Sequence, residues 1–243
     1  MDKNNRSSAQ DAVGIGASAT TNGKVAPSNT RRLALAALLV SLYVAANSVP
    51  IDAFIGGAGF ITAGIILLPV VAGLLKPRDA LIAAVLASIG LLALQLSIIP
   101  VFGFYGLLVP TLGMTLGSLG IHKSLVYPAA YIVFGALWYA LFSGGTLLWL
   151  VPYALAIGLV AMKQTKLVKL GKEGDLMVYC LSTTMCELVT MNIGSISLLH
   201  LLGQVWLIVT PFMFAERAVA VIGSSSILLG LLRIKGPLKL EGI

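Results

Sequence analysis

The amino-acid sequence predicts an all-α protein, a polytopic bundle of transmembrane helices with both termini on the cytoplasmic side. Three observations carry this expectation. Of 243 residues, 58% are hydrophobic and only 10% charged, against about 25% charged in soluble domains, and the mean hydropathy is +0.98. Apolar runs recur at lengths that cross a hydrocarbon core of about 30 Å at about 1.5 Å per helical residue. The charged residues then gather in alternate joints between those runs.

The first element, residues 1–30, is rich in Ser, Asn, Gly and Ala without an apolar period and reads as a disordered cytoplasmic tail. Thr30-Arg31-Arg32 resembles a twin-arginine export signal, but the long tail before it and the membrane-embedded body after it make the pair a topology anchor. A transmembrane domain over 31–235 follows, then a short cytoplasmic tail over 236–243. Within the domain eight apolar segments are expected: Leu33 to Pro50, Ala58 to Leu75, Ala80 to Ile99, Phe104 to Ile121, Ser124 to Phe142, Thr146 to Met162, Leu176 to Leu201 and Val205 to Leu232. The segments around Pro110 and Pro152 are open to a short or re-entrant form, so six spans plus a hairpin is the alternative. Arg31/Arg32, Lys76/Arg78, His122/Lys123, Lys163 to Lys172 and Arg233/Lys235/Lys239 fall on one side, and only Asp52 on the other. The positive-inside rule assigns the basic side to the cytoplasm of a cell (plasma) membrane. The net charge of +7 is thereby explained by topology and anionic lipid, with no need for nucleic acid as a partner. Lys163, Lys166, Lys169 and Lys172 lie three apart, which on a helical turn makes a basic face worth about 1 kcal/mol per side chain against lipid headgroups.

Charged and polar residues inside the apolar runs are the functional candidates, since an intramembrane charge costs about 2.5 to 3.5 kcal/mol on insertion scales. In the seventh segment Thr183, Glu187, Thr190, Gly194 and Ser197 alternate steps of four and three and occupy one helical stripe. That stripe faces protein or water. Arg217 lies at the same depth in the next, antiparallel segment, which makes a Glu187 to Arg217 structural ion pair the first explanation for both. Arg217 shares its face with Thr210 and Ser224. Its neighbour Glu216 points about 100° away, on a face with Ala220 and Gly223, and is expected to contact a polar or cationic ligand or to serve as a structural acid. Asn47, Asp52, Gln95, Tyr105, Trp149, Tyr153, Asn192 and His200 sit near the expected outer ends, either as interface anchors or as the lining of an outward-opening pocket. For substrate binding the candidates are Glu187, Asn192, Glu216, Tyr153, Trp149, Asn47 and Gln95.

Small residues form a second pattern: Ala37, Ser41 and Ala45 in the first segment, Ala80, Ala84 and Ser88 in the third, Gly113 and Gly117 in the fourth. Such ridges permit close helix contact, either inside the bundle or with another membrane subunit. Cys180 and Cys186, six apart on one helix, point in different directions and are expected to pack unbridged. There is no GxxxxGK[ST], HExxH or GxSxG motif and only two histidines, so neither an enzyme, a resident cofactor nor a metal site is expected.

"RRLALAALLVSLYVA" and "GFITAGIILLPVVAGLLKPRDALIAAVLASIG" resemble the opening of the substrate-binding S components of energy-coupling factor (ECF) transporters. The shared features are a small-xxx-small first helix, a Gly-rich second helix with a mid-helix proline, a short basic turn and a small-residue third helix. "LLVPTLGMTLGSLGIHKS" and "PFMFAERAVAVIGSSSILLGLL" are similar to the fourth and last helices of that family. The resemblance covers about two-thirds of the chain. It implies a subunit that captures a vitamin-like micronutrient and delivers it with a transmembrane coupling protein and two ATPases. It also implies that Ala37, Ser41 and Ala45 meet the coupling subunit, with Ser41 standing where alanine is usual. The family has six helices, so eight segments imply an added hairpin near Ser124 to Met162. Two other readings stay open: a stand-alone proton-coupled carrier of a small polar solute, and a membrane assembly protein without a small ligand.

Overall fold

The computed structural model describes residues 29–50, 62–96, 99–167, 169–201 and 203–233. The expected tails and Asp52 lie outside the described residues, apart from positions 29 and 30, which already open the first helix. The chain is all-helical across the described residues, with a single bridge between Pro50 and Thr62 as its only strand-like pairing there. Its helices are α1 (Asn29–Ala46), α2 (Gly64–Leu74), α3 (Pro77–Leu94), α4 (Ile99–Phe102), α5 (Leu108–His122), α6 (Val126–Phe142), α7 (Val151–Gln164), α8 (Lys172–Ser197) and α9 (Val205–Arg233). Tight 3-10 turns at Gly103–Leu107 and Leu147–Leu150 lead into α5 and α7.

Local chemistry sets several of these boundaries. Proline occupies the first turn of α3 (Pro77) and of α7 (Pro152), where its missing N–H would have no helical partner in any case. Asp79 in α3, and Glu173 and Asp175 in α8, place carboxylates at positive helix ends. Helix α3 stops where Gln95 turns left-handed, at φ 51°. The loop after α7 departs from expectation. Helix α7 ends at Gln164, Lys166 is left-handed at φ 55°, and Lys163 pairs with Asp175 at 3.1 Å. The four lysines therefore do not share one helical face, because the backbone reverses between them.

Five segments are long and apolar enough to cross a membrane: Pro77–Leu94, Ile99–His122, Leu147–Gln164, Lys172–Ser197 and Val205–Arg233. Arg32–Ala46, Gly64–Leu74 and Val126–Phe142 are shorter apolar helices. The 11 residues of α2 reach only about 16 Å, roughly half a hydrocarbon core. Of the expected second segment, residues 58–61 lie outside the described residues, while Thr62 and Ala63 precede the helix in a bridge and a turn.

Two groups of helices pack side by side. Leu39, Tyr43, Leu68, Val71, Ala84, Leu91 and Met114 join α1, α2, α3 and α5. Ile132, Tyr139, Tyr153, Met185, Val189, Trp206 and Met213 join α6, α7, α8 and α9. Helix α8 also packs on α5 and α2 and so lies at the centre. In its apolar window 78% of residues are buried, against 28 to 33% in the other long spans, which is why it can carry a polar stripe at low cost. Ion pairs cluster at the basic end: Arg32 to Asp79 at 2.8 Å, Lys163 to Asp175, and Arg233 to Glu173 at 3.9 Å. They tie α1 to α3, α7 to α8 and α9 to α8. Cys180 and Cys186 are buried free thiols.

Candidate functional site

The site begins with close approach of α5 to α8. A Cβ added at Gly117 would collide with the Thr183 side chain, and one at Gly113 would lie 3.4 Å from the Glu187 Cβ. The glycines let the polar stripe of α8 be covered by backbone rather than lipid. Along α8 the hydroxyls satisfy themselves locally: Ser182 donates to Val178 O at 2.7 Å, Thr183 to Tyr179 O at 2.9 Å, Thr184 to Cys180 O at 3.0 Å and Thr190 to Cys186 O at 3.0 Å. Hydroxyls bonded to the preceding turn need no outside partner.

Glu187 and Arg217 are different, because neither can be satisfied by its own helix. Arg217, 4% exposed, donates from Nη1 to the Thr184 carbonyl of α8 at 2.7 Å, and the same nitrogen lies 3.5 Å from Glu187 Oε2. Arg217 Nε and Nη2 are buried and make no hydrogen bond among the described residues. The guanidinium is thus anchored by one nitrogen, with two buried donors unpaired among the described residues. Thr210 and Ser224, on the same face of α9, are buried and donate to Trp206 O and Ala220 O within their own helix. Glu216 is 5% exposed. Gly223, two turns along on its side of α9, lies against Ile66 of α2, where an added Cβ would come within 2.9 Å.

Toward the end opposite the ion pairs, aromatic residues wall the α6 to α9 group. Asn192 Nδ2 donates to the Tyr153 hydroxyl. Trp149 stacks with Tyr139 at 6.1 Å between ring centroids and meets Trp206 edge-on at 4.9 Å. On the α5 side Tyr105 donates to Thr190 O at 2.7 Å. The Tyr131 hydroxyl lies 3.0 Å from Thr190 Oγ1. Since the Thr190 proton is engaged with Cys186 O, Tyr131 is the donor.

Glu187, Asn192, Tyr153, Trp149, Arg217 and Glu216 are therefore all buried on α8, α9 and α7 with its leading turn. The other candidates fall elsewhere. Asn47 donates to Tyr43 O at 2.8 Å and accepts from Thr62 Oγ1 at 2.7 Å, a bridge from α1 to the start of α2. Its polar atoms are consumed by that bridge, so Asn47→Ala is expected to cost about 1–3 kcal/mol by stranding Thr62; a lowered unfolding midpoint in detergent checks it. Gln95 is exposed and donates to Leu92 O at 2.9 Å, closing the end of α3. His200 is also exposed, at a left-handed turn with φ 50°.

The small-residue ridges divide in the same way. Ala80, Ala84 and Ser88, with Gly113 and Gly117, are buried inside the bundle, whereas Ala37, Ser41 and Ala45 are exposed along α1. Tyr131 was not among the expected site residues, yet its hydroxyl reaches Thr190 on α8. Its signal is a phenol inside an apolar run, since a buried Tyr O–H calls for a partner. Among the described residues no three His, Cys, Asp or Glu side chains gather to hold a metal ion. In comparisons with protein-family models, curated proteins and solved structures, the chain matches none.

Proposed function

We propose that the chain is the membrane-embedded substrate-binding subunit of an ATP-driven uptake transporter of the ECF type, an S component in the cell membrane. The reading has eight helical membrane segments, with α4 and α5 counted as one, and both termini in the cytoplasm. A vitamin-like micronutrient enters from outside and is held among α7, α8 and α9 by Arg217, Glu187, Asn192 and Glu216, with Tyr153 and Trp149 as aromatic walls. The observation that carries the reading is the buried Arg217, held by Thr184 O and Glu187 through one nitrogen while Nε and Nη2 make no hydrogen bond among the described residues. A purely structural arginine this deep would be costly unless its remaining donors were satisfied. Buried ionisable residues within membrane segments are binding or transport sites by default.

Hand-over falls to partners. Ala37, Ser41 and Ala45 form an exposed strip on α1, flanked by exposed Leu38 and Leu42. This strip permits close backbone approach of another membrane helix. The α6–α7 pair, packed on α8, is the added hairpin relative to six helices.

Affinity purification from native membranes tests the proposal. The expected result is a transmembrane coupling protein and two ATPases in stoichiometric amounts, lost when Ser41→Trp places a large side chain on the α1 strip. Recovery of the chain alone, with solute uptake by the chain alone driven by a pH gradient, would replace this reading with that of a secondary carrier.

A further inference from the structure

Arg32 of α1 and Asp79 of α3 pair at 2.8 Å at the head of an open groove of about 190 Å³, whose other walls are Leu33, Ala36 and Ile82. That volume is several times the roughly 30 Å³ share of one water. Side-chain exposures of 45% for Arg32 and 34% for Asp79 keep both charges accessible. Arg32 gives Asp79 one nitrogen, Nη2, and its partly exposed guanidinium keeps further donors. Beyond the ion pair the walls turn apolar. On α3 the exposed Ile82, Leu86 and Ile89 continue from Asp79 in steps of three, four and three, along one helical face. On α1 the exposed Leu33 is followed on its face by the half-buried Ala36 and Val40. The two helices run parallel, since Val44 meets Gly90 further along, so both rows descend from the ion pair together. From Asp79 to Ile89 is about 15 Å of helix, half of a hydrocarbon core.

We propose that this groove seats one phosphoethanolamine lipid from the leaflet at the basic end of the bundle, its phosphate on Arg32, its ammonium on Asp79 and one acyl chain between the apolar rows. Alternation of charge decides the headgroup. An arginine beside an aspartate matches a phosphate joined by two carbons to an ammonium, so that each ion meets its opposite. An anionic headgroup would set its charge against Asp79 as well as Arg32. Lys76 and Arg78 are exposed nearby but do not line the groove, so their attraction for anionic lipid acts outside it. A choline headgroup keeps the positive charge but has no N–H to donate to the carboxylate. The apolar rows then hold the chain for the depth of one leaflet. None of this depends on a transported solute.

Native mass spectrometry of the full chain in detergent, titrated separately with dioleoyl phosphatidylethanolamine, phosphatidylcholine and phosphatidylglycerol, measures the affinity for the first lipid bound. The expected result is that phosphatidylethanolamine binds about fivefold or more tighter than phosphatidylcholine, through the hydrogen bond that choline cannot make. Asp79→Asn should erase that preference while the unfolding midpoint stays near wild type, because a partly exposed ion pair contributes little to stability. Ala36→Leu adds bulk to the groove wall and should weaken phosphatidylethanolamine binding with the ion pair intact, which makes it a test independent of the charged residues. Tighter binding of phosphatidylglycerol than of phosphatidylethanolamine would overturn the proposal in favour of an anionic-headgroup site. Equal affinities for phosphatidylethanolamine and phosphatidylcholine would overturn it in favour of lipid held by apolar surface alone. A preference that survives both Asp79→Asn and Ala36→Leu would place the selective lipid elsewhere on the bundle and overturn it too.

Discussion

Arg217→Ala is expected to lower the stability of the purified protein by about 3–5 kcal/mol, the range for removing one partner of a buried ion pair. Three losses add up in that variant. The Glu187 carboxylate, 9% exposed, loses its counter-charge at 3.5 Å. The Thr184 carbonyl loses its donor at 2.7 Å, and the packed aliphatic stem of the arginine disappears from between α8 and α9. Adding Glu187→Gln should restore part of the loss, because a neutral amide is cheaper to bury than an orphaned acid. A double variant as unstable as Arg217→Ala would show that the acid and the arginine do not act as a pair. Chemical unfolding in mixed micelles, with both single variants and the double, measures the coupling directly.

Gly135→Leu is expected to be similarly disruptive, for a steric reason. Helix α6 meets the central α8 at Gly135, where an added Cβ would lie 2.5 Å from both γ carbons of Val189. Val189 is fully buried among α6, α7 and α9 side chains, so it cannot swing aside. Overpacking of this kind costs about 3 kcal/mol at the upper end of its usual range, more than the gain of roughly 1 kcal/mol from removing a helical glycine. The prediction is a lower unfolding midpoint and a loosened α6–α7 hairpin, read by proteolysis at Ser143 to Thr146. Val189→Ala in the same chain should return part of the stability, since it vacates the contested volume. An unchanged midpoint for Gly135→Leu would show that α6 does not pack on α8 through this face.

The parts of this architecture that were legible in the sequence are those written in hydrophobic length and helical period. Apolar runs define where helices lie, and the four-three spacing marks one stripe of α8 for interior contact from Thr183 to Gly194, while Ser197 at its end is exposed. The approach of Arg217 to Glu187 follows from equal depth on antiparallel neighbours. What was not legible depends on local backbone competition and on which helices become neighbours. Asn47 and Gln95 look like pocket residues by depth alone. Their side chains reach backbone or a neighbouring hydroxyl within a few ångströms first, and bridge or close a helix end instead. The lysine run from 163 to 172 reads as one helical face, but a left-handed Lys166 breaks the period and an ion pair with Asp175 takes up Lys163. The small-residue ridges are indistinguishable by spacing. Only the packing shows that α3 and α5 bury theirs while α1 leaves Ala37, Ser41 and Ala45 exposed.

Transport by the chain with and without its partners tests the central claim most directly. The small molecule extracted from the purified chain would be presented to vesicles containing either the chain alone or the chain with the proteins that copurify with it. Accumulation only in the complete assembly, only with ATP on the ATPase side, and abolished by Arg217→Lys is the predicted result. Accumulation by the chain alone under a pH gradient, with ATP making no difference, would contradict it.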